Sequence, residues 1–176
     1  MLDILRTRRS IRRYLDKPVE QEKIDTLIKA ALLSPSSRSI RPWEFITVTD
    51  KNLINELSKS KAHGSKFIAL APLCFVVIAD RDSCDVWIED ASIASAIIHI
   101  TAHSIGLGSC WVQTRMRNHS EDTTSEDFVR SLLNIPDNYA VEAIITIGYP
   151  DETKKAYTDE NLLYNKIHVN KFNPSK

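Results

Sequence analysis

The sequence predicts one domain of mixed helix and strand, and three observations carry that expectation. Some segments repeat apolar residues at helical spacing, while others are short β-branched runs. The two kinds alternate along the chain. Finally, 176 residues suffice for one core but fall short of two domains of ordinary size, so residues 1–176 are read as a single unit.

The first clear helix signal lies at Glu20–Leu33, where Ile24, Leu27, Ile28, Ala31 and Leu32 recur on one face and Pro35 stops the run. Glu44–Thr49 is a short β-rich run, and Asp50 reads as the N-cap of a helix reaching about Ser58. Leu73–Ala79 is apolar and β-branched, a buried strand in which Cys74 is a small core residue. Val86–Ile105 is rich in alanine and isoleucine on more than one face, which predicts a central, largely buried helix. Gly106 ends it as a C-cap, and Gly108 lets the chain turn sharply into a strand over Ser109–Thr114. A helix over Ser125–Leu133 and a strand over Val141–Tyr149 complete the elements. Beyond Pro150 the tail is polar, then carries Leu162, Leu163, Tyr164, Ile167, Val169 and Phe172. These side chains pack either across a second subunit or on the protomer's own sheet.

Composition narrows the function. Lysine plus arginine and aspartate plus glutamate both number 23, so the overall balance argues for neither nucleic acid nor membrane surface, and any positive field is local. The basic N-terminus has no apolar leader, and Asp3, Asp16 and Pro18 suit a transit helix poorly. The most apolar stretch, Ile93–Ile105, is interrupted by serine, threonine and two histidines, too polar for a membrane span. A cytoplasmic protein is expected. Cys74, Cys84 and Cys110 form no C-x-x-C pair and leave an odd thiol, which fits a reducing compartment. His99 and His103 have the i, i+4 spacing of a metal face but lack both the glutamate of H-E-x-x-H and a third ligand, so no metal site is expected.

Three local signals remain. Arg8, Arg9, Ser10 and Arg12 supply, within one turn or bend, the cations, fork-shaped donors and hydroxyl that a dianionic phosphate requires. Taken alone, the same cluster reads more readily as a solvated basic helix end; a nucleic-acid arm is opposed by Glu20, Glu22 and Asp25 and by the missing aromatic platform. Pro35 then begins a loop where Ser36, Ser37 and Ser39 place small donors near a backbone able to approach a planar ligand, or simply make an ordinary turn. The third signal is G-L-G-S-C-W at Gly106–Trp111. It follows a helix, not a strand, and has no third glycine, so it is not a Rossmann fingerprint.

Taken together, the chain resembles the FMN-dependent nitroreductase family over nearly its whole length. The residues that carry the likeness are R-R-S-I-R at Arg8–Arg12, the P-S-S loop with P-W-E-F at Pro42–Phe45, A-P at Ala71–Pro72, E-D-A-S-I-A at Glu89–Ala94, G-L-G-S-C-W, and G-Y-P at Gly148–Pro150. The resemblance implies an α+β fold whose central mixed, mainly antiparallel sheet is surrounded by helices, built as an intertwined homodimer with FMN at the subunit interface. It implies hydride transfer from NADH or NADPH to FMN, then to a nitroaromatic, quinone, enone or similar small-molecule acceptor, with ping-pong kinetics and no side chain in covalent chemistry. By the same likeness, Arg8, Arg9, Ser10 and Arg12 meet the phosphate and ribityl end, joined by Lys154 or Lys155. Lys66 lies near the flavin pyrimidine. Pro35, Ser36 and Ser37, with Ser39, touch the flavin of the other subunit, and Trp111, Val112 and Gln113 pass by its reactive nitrogen. Ser39 and Arg41 depart from the asparagine and glutamine of many relatives, and V-Q-T-R-M-R lacks a frequent glycine. Arg41, Trp43 and Arg115 are therefore candidates for the substrate mouth, where the arginines would favour an anionic substrate or the nicotinamide dinucleotide's phosphates. A flavin carrier or redox sensor without turnover, and a phosphate-binding interaction module without flavin, are the alternatives.

Overall fold

The computed structural model describes residues 1–173. Its centre is a four-stranded antiparallel sheet of β1 (Trp43–Val48), β2 (Leu73–Asp80), β3 (Gly108–Gln113) and β4 (Tyr139–Gly148), in the order β1-β2-β4-β3. Helices cover both faces: α2 (Gln21–Leu32) and α4 (Trp87–Ser104) lie on one, α3 (Lys51–Leu57) and α5 (Ser125–Leu133) on the other. This is the expected α+β architecture, with each predicted element present to within two residues of its expected ends.

The double cover explains why Leu73–Ala79 is an unbroken apolar run, since a strand buried on both faces has no polar positions to alternate. Leu73, Phe75, Val77 and Ala79 face α2 and α4, where they meet Leu27, Ala31, Ala91 and Ile98. Cys74, Val76 and Ile78 face Ile54, Leu57 and Val129. The small alanines of α4 let it lie close on the sheet, and Phe75, fully buried beneath it, contributes roughly 1.5–3 kcal/mol by its burial alone. Local caps act as the sequence implies. The Asp50 carboxylate accepts the Asn52 and Leu53 amides, Thr124 accepts that of Asp127, and Gly106 takes the left-handed conformation at φ 80°.

Four expectations are revised. A short helix, α1 (Leu2–Thr7), precedes the arginine cluster, and its six residues bury nothing, so it left no periodic signal. The cluster itself is not a turn: Arg8 is extended (φ −61°, ψ 124°), and Ser10 forms a parallel bridge to Ser109, which makes this segment the outer neighbour of β3. Gly108 is needed for close approach, not for a sharp turn, because a Cβ there would lie 2.9 Å from Cβ, Cγ1 and Cγ2 of Ile11. The tail's apolar residues do not pack on the protomer's own sheet; Leu163, Tyr164, Ile167, Val169 and Phe172 are all exposed. The tail is held instead by polar contacts with α1, where the Tyr157 amide donates to the Arg6 carbonyl (3.0 Å) and Arg6 pairs with Asp159.

Candidate functional site

The arginine cluster is laid along β3 by its backbone and locked there by one side chain. The Ile11 amide donates to the Ser109 carbonyl (2.9 Å), and the buried Tyr14 hydroxyl donates to the Ile11 carbonyl (2.6 Å) while meeting the Thr146 hydroxyl (2.7 Å). An extended segment sends alternate side chains to opposite sides. Arg8, Ser10 and Arg12 accordingly all act on Cys110: burial raises its thiol pKa, and Arg12, then Ser10, then Arg8 oppose that rise. Arg9 points elsewhere: it donates to the Lys155 carbonyl and lies 4.5 Å over the Tyr157 ring.

Neither Arg8 nor Arg12 has an ion pair among the described residues. The adjacent carboxylate, Glu152, is already engaged by Lys154 at 2.6 Å and by the Arg12 amide at 2.6 Å, and Lys154 first, then Arg12, holds it below the usual carboxylate range. Behind the group, the buried His99 ring meets the Ser109 hydroxyl at 2.7 Å. Burial, then Arg8, lowers its pKa to about 4, so the imidazole is neutral at neutral pH. Two guanidiniums without an ion pair and a hydroxyl, beside a carboxylate already engaged by Lys154, fit a phosphate dianion.

Lys66 begins the short 3₁₀ turn Lys66–Leu70 that leads into β2, and its neighbour Phe67 carries the Arg12 guanidinium 5.7 Å above its ring, so this turn adjoins the group. Lys154 lines a cleft of about 230 Å³ with Arg9, Thr7 and His103, on the Arg9 side of the segment; Lys155 contributes only its carbonyl there. His99 and His103 take separate hydroxyl partners, Ser109 and Thr7. Among the described residues no cluster of three or more metal-ligating side chains occurs.

The second half of the expected site lies elsewhere. The Ser36–Arg41 loop enters β1, the opposite edge strand, at the end of the sheet where Trp43 pairs with Ala79; the arginine group sits at the end where Gly108 pairs with Gly148. The two halves thus occupy diagonal corners, separated by three strand spacings, about 14 Å, across the sheet alone. The loop is firmly built. Arg38, Ser39 and Arg41 adopt positive φ of 52°, 55° and 56°, and buried Asp90 fixes its start by accepting the Ser37 amide (2.8 Å). The Ser36 hydroxyl accepts the Arg41 amide (2.8 Å), and Arg38 pairs with Asp85. Pro35 and Arg41 are exposed. Trp43 is buried against Phe45, so within this chain it lines a groove of about 310 Å³ beside α2 and not an open mouth.

At the end of β3, the Trp111 indole donates to Gln113 Oε1 (2.9 Å), and Gln113 Nε2 donates to the Arg115 carbonyl (3.1 Å), while Val112 is buried. Arg115 is half-buried 5.8 Å over the Trp87 ring. The nitroreductase family model matches residues 5–66 and 59–149. The chain belongs to the nitroreductase family. An FMN-dependent nitroreductase of Clostridium difficile R20291 is 50% identical, with a TM-score of 0.97 over 98% of this chain and 100% of that one. An Archaeoglobus fulgidus protein provisionally named NADH dehydrogenase/NAD(P)H nitroreductase is 33% identical over 176 residues, 97% of this chain and 98% of its own. NADPH:FMN oxidoreductase of Vibrio harveyi, solved with NAD+, is 24% identical with a TM-score of 0.82 over 98% and 77% of the two chains, and shares the fold.

In this nitroreductase, sequence reasoning passed over Tyr14, Asp90, Glu142 and the His99–Ser109 pair. Each is a buried polar group. The sequence carries a visible signal only for Glu142, which interrupts an otherwise apolar run.

Proposed function

We propose that this nitroreductase is an FMN-dependent oxidoreductase that draws electrons from NADH or NADPH. It passes them to a nitroaromatic, quinone, enone or similar small acceptor, and residues 1–176 act as a single FMN-binding domain. The observation that carries this reading is the convergence of the unpaired Arg8 and Arg12 guanidiniums with the Ser10 hydroxyl beside β3. These residues would hold the FMN phosphate and ribityl end, with Lys66 nearby as the cation for the pyrimidine. When bound, FMN supplies hydride acceptance from nicotinamide and hydride donation to the acceptor. The chain's own residues bind and orient: Ser109 and Tyr14 fix the arginine segment, and Gln113 fixes the exit from β3. Donor and acceptor using one open face in turn gives ping-pong kinetics.

The diagonal placement of the Pro35–Ser39 loop supports a homodimer in which that loop, including Ser36 and Ser37, completes the partner's site. The exposed tail, from Leu162 to Phe172, supports an intertwined assembly in which it crosses the neighbouring subunit. No described helix is long and apolar enough to cross a membrane, and the three cysteines are free and buried, which suits a cytoplasmic enzyme.

The test is the absorption spectrum of the purified protein before and after anaerobic NADH or NADPH. Flavin bands that bleach support the reading and reveal the preferred donor. Persistent bands favour a carrier or sensor. No bands after incubation with FMN overturn the cofactor assignment.

A further inference from the structure

Asp90 is a buried carboxyl group that the proposed chemistry does not use. It sits in the first turn of α4 and is 3% exposed. An acid in that position ordinarily serves its own helix. Here both oxygens turn to other segments: Oδ1 accepts the Ser37 amide at 2.8 Å, and Oδ2 takes the Cys84 thiol at 3.6 Å. Arg38, the next loop residue, reaches the Cys84 sulfur at 4.0 Å and pairs with Asp85. Two successive residues of the Ser36–Arg41 loop are thus pinned to the short stretch from Cys84 to Asp90.

The loop needs that hold. Arg38, Ser39 and Arg41 keep positive φ of 52°, 55° and 56°, a conformation that disfavours any residue with a Cβ and persists only where neighbours impose it. What the hold shapes is a loop at the corner of the sheet diagonal to the arginine group of its own chain. A contact that fixes this loop therefore acts at a distance from that chain's own Arg8, Ser10 and Arg12.

We propose that Asp90 is a positioning residue for flavin binding that acts across the subunit boundary. It sets the backbone from which Ser36, Ser37 and Ser39 meet the FMN held by the arginine segment of the second subunit. This rests on the proposed FMN-dependent homodimer. Removing Asp90 should then weaken the site of the neighbouring subunit, while the arginine group of the altered chain stays intact.

The experiment begins with two homodimers. Asp90→Ala removes both acceptor oxygens, and Asp90→Asn keeps one for the Ser37 amide. FMN affinity, read by fluorescence quenching, should fall about tenfold or more in the first and stay within about threefold of wild type in the second. The deciding measurement uses a mixed dimer, with Arg8→Ala in one subunit and Asp90→Ala in the other, isolated through two different affinity tags. If Asp90 acts across the boundary, both defects fall on one site, and the other site, with intact arginines and an intact loop, binds FMN with wild-type affinity. If it acts on its own chain's site, each site carries one defect and no wild-type site is recovered, which overturns the proposal. A lower Tm for Asp90→Ala with unchanged FMN affinity also overturns it, since Asp90 would then be purely structural.

Should Asp90→Ala fail to assemble, Ser37→Pro takes its place by deleting the amide that Asp90 accepts. Ser37 opens a helical turn after an extended Ser36 (φ −143°, ψ 157°), where proline is tolerated. Ser37→Pro should weaken FMN binding more than Ser37→Ala and give the same recovery in the mixed dimer; equal weakening by the two overturns the proposal. Absence of flavin in wild type, or a monomeric wild type, overturns the homodimer reading and this proposal with it. A flavin-bound wild-type dimer with no site recovered in the mixed dimer overturns this proposal alone.

Discussion

Gly108→Ala tests the close approach on which the arginine segment depends. The added methyl would sit 2.9 Å from Cβ, Cγ1 and Cγ2 of Ile11. Carbon atoms prefer about 3.5–4.0 Å, so each of three contacts falls short by roughly 0.6–1 Å. Rotating the isoleucine gives no relief, because its Cβ is one of the three atoms and moves only with the backbone. Residues 8–14 must therefore shift away from β3, straining the Ile11–Ser109 hydrogen bond and the Tyr14 contacts with Thr146. Overpacking of this kind costs about 1–3 kcal/mol, which in a chain of this length lowers Tm by about 2–12 °C. FMN affinity should fall as well, since the same displacement moves Arg8, Ser10 and Arg12 together. Thermal unfolding at fixed protein concentration and FMN titration by fluorescence quenching read the two effects. Ile11→Ala in the Gly108→Ala background should restore part of both, because it removes two of the three clashing atoms. A variant with wild-type Tm and affinity would refute the argument that Gly108 exists to let this segment in.

Other substitutions separate the roles within the segment. Arg8→Ala and Arg12→Ala should each raise the Kd for FMN about 10–150-fold, the loss of a charge-assisted hydrogen bond worth about 1.5–3 kcal/mol. Arg9→Ala should change it by less than about threefold, because Arg9 is engaged with the Lys155 carbonyl and Tyr157; isothermal titration distinguishes the outcomes. Tyr14→Phe leaves the Ile11 carbonyl and the Thr146 hydroxyl without their buried partner and should cost about 1–3 kcal/mol in urea unfolding. His99 has a pKa near 4 in the fold, below its unfolded value, so its contribution to stability is present above the unfolded value and lost as pH falls through 4. About 3 kcal/mol should disappear between neutral pH and pH 4 in wild type but not in His99→Gln, measured by denaturant unfolding at each pH.

Elements that bury an apolar face were legible in the sequence, because burial leaves a period. The helix Gln21–Leu32 and the doubly covered strand Leu73–Asp80 are examples. Helix α1 buries nothing, so no period announces it; Arg6 and Tyr157 tie it to the tail, and Thr7 ties it to His103 of α4. The site residues were legible by chemical type but not by direction. Arg8 and Arg9 are adjacent in sequence and alike in chemistry, yet an extended backbone sends them to opposite sides, a distinction that a helix-end or turn reading erases. Glu142 escaped for the opposite reason: it is the extra residue of a bulge in the pairing of β4 with β2, and a single-residue shift in pairing has no signature in one strand read alone.

The placement of the Ser36–Arg41 loop sharpens the same point. Three consecutive-range residues with side chains, Arg38, Ser39 and Arg41, hold positive φ where glycine would be easier, in a chain with only four glycines. Left-handed backbone costs roughly 1–2 kcal/mol for each such residue, so the loop retains its shape only because the Asp90, Ser36 and Asp85 contacts impose it. Nothing at the arginine group requires that shape within one chain, since the two lie at diagonal corners of the sheet. Strain held in place by a buried carboxylate, at the corner diagonal to the arginine group, is what a loop built to serve a second subunit would show. In the proposed homodimer, where this loop completes the partner's site, cofactor binding would be tied to assembly. Protein concentration and flavin occupancy should therefore be coupled in any solution of this nitroreductase.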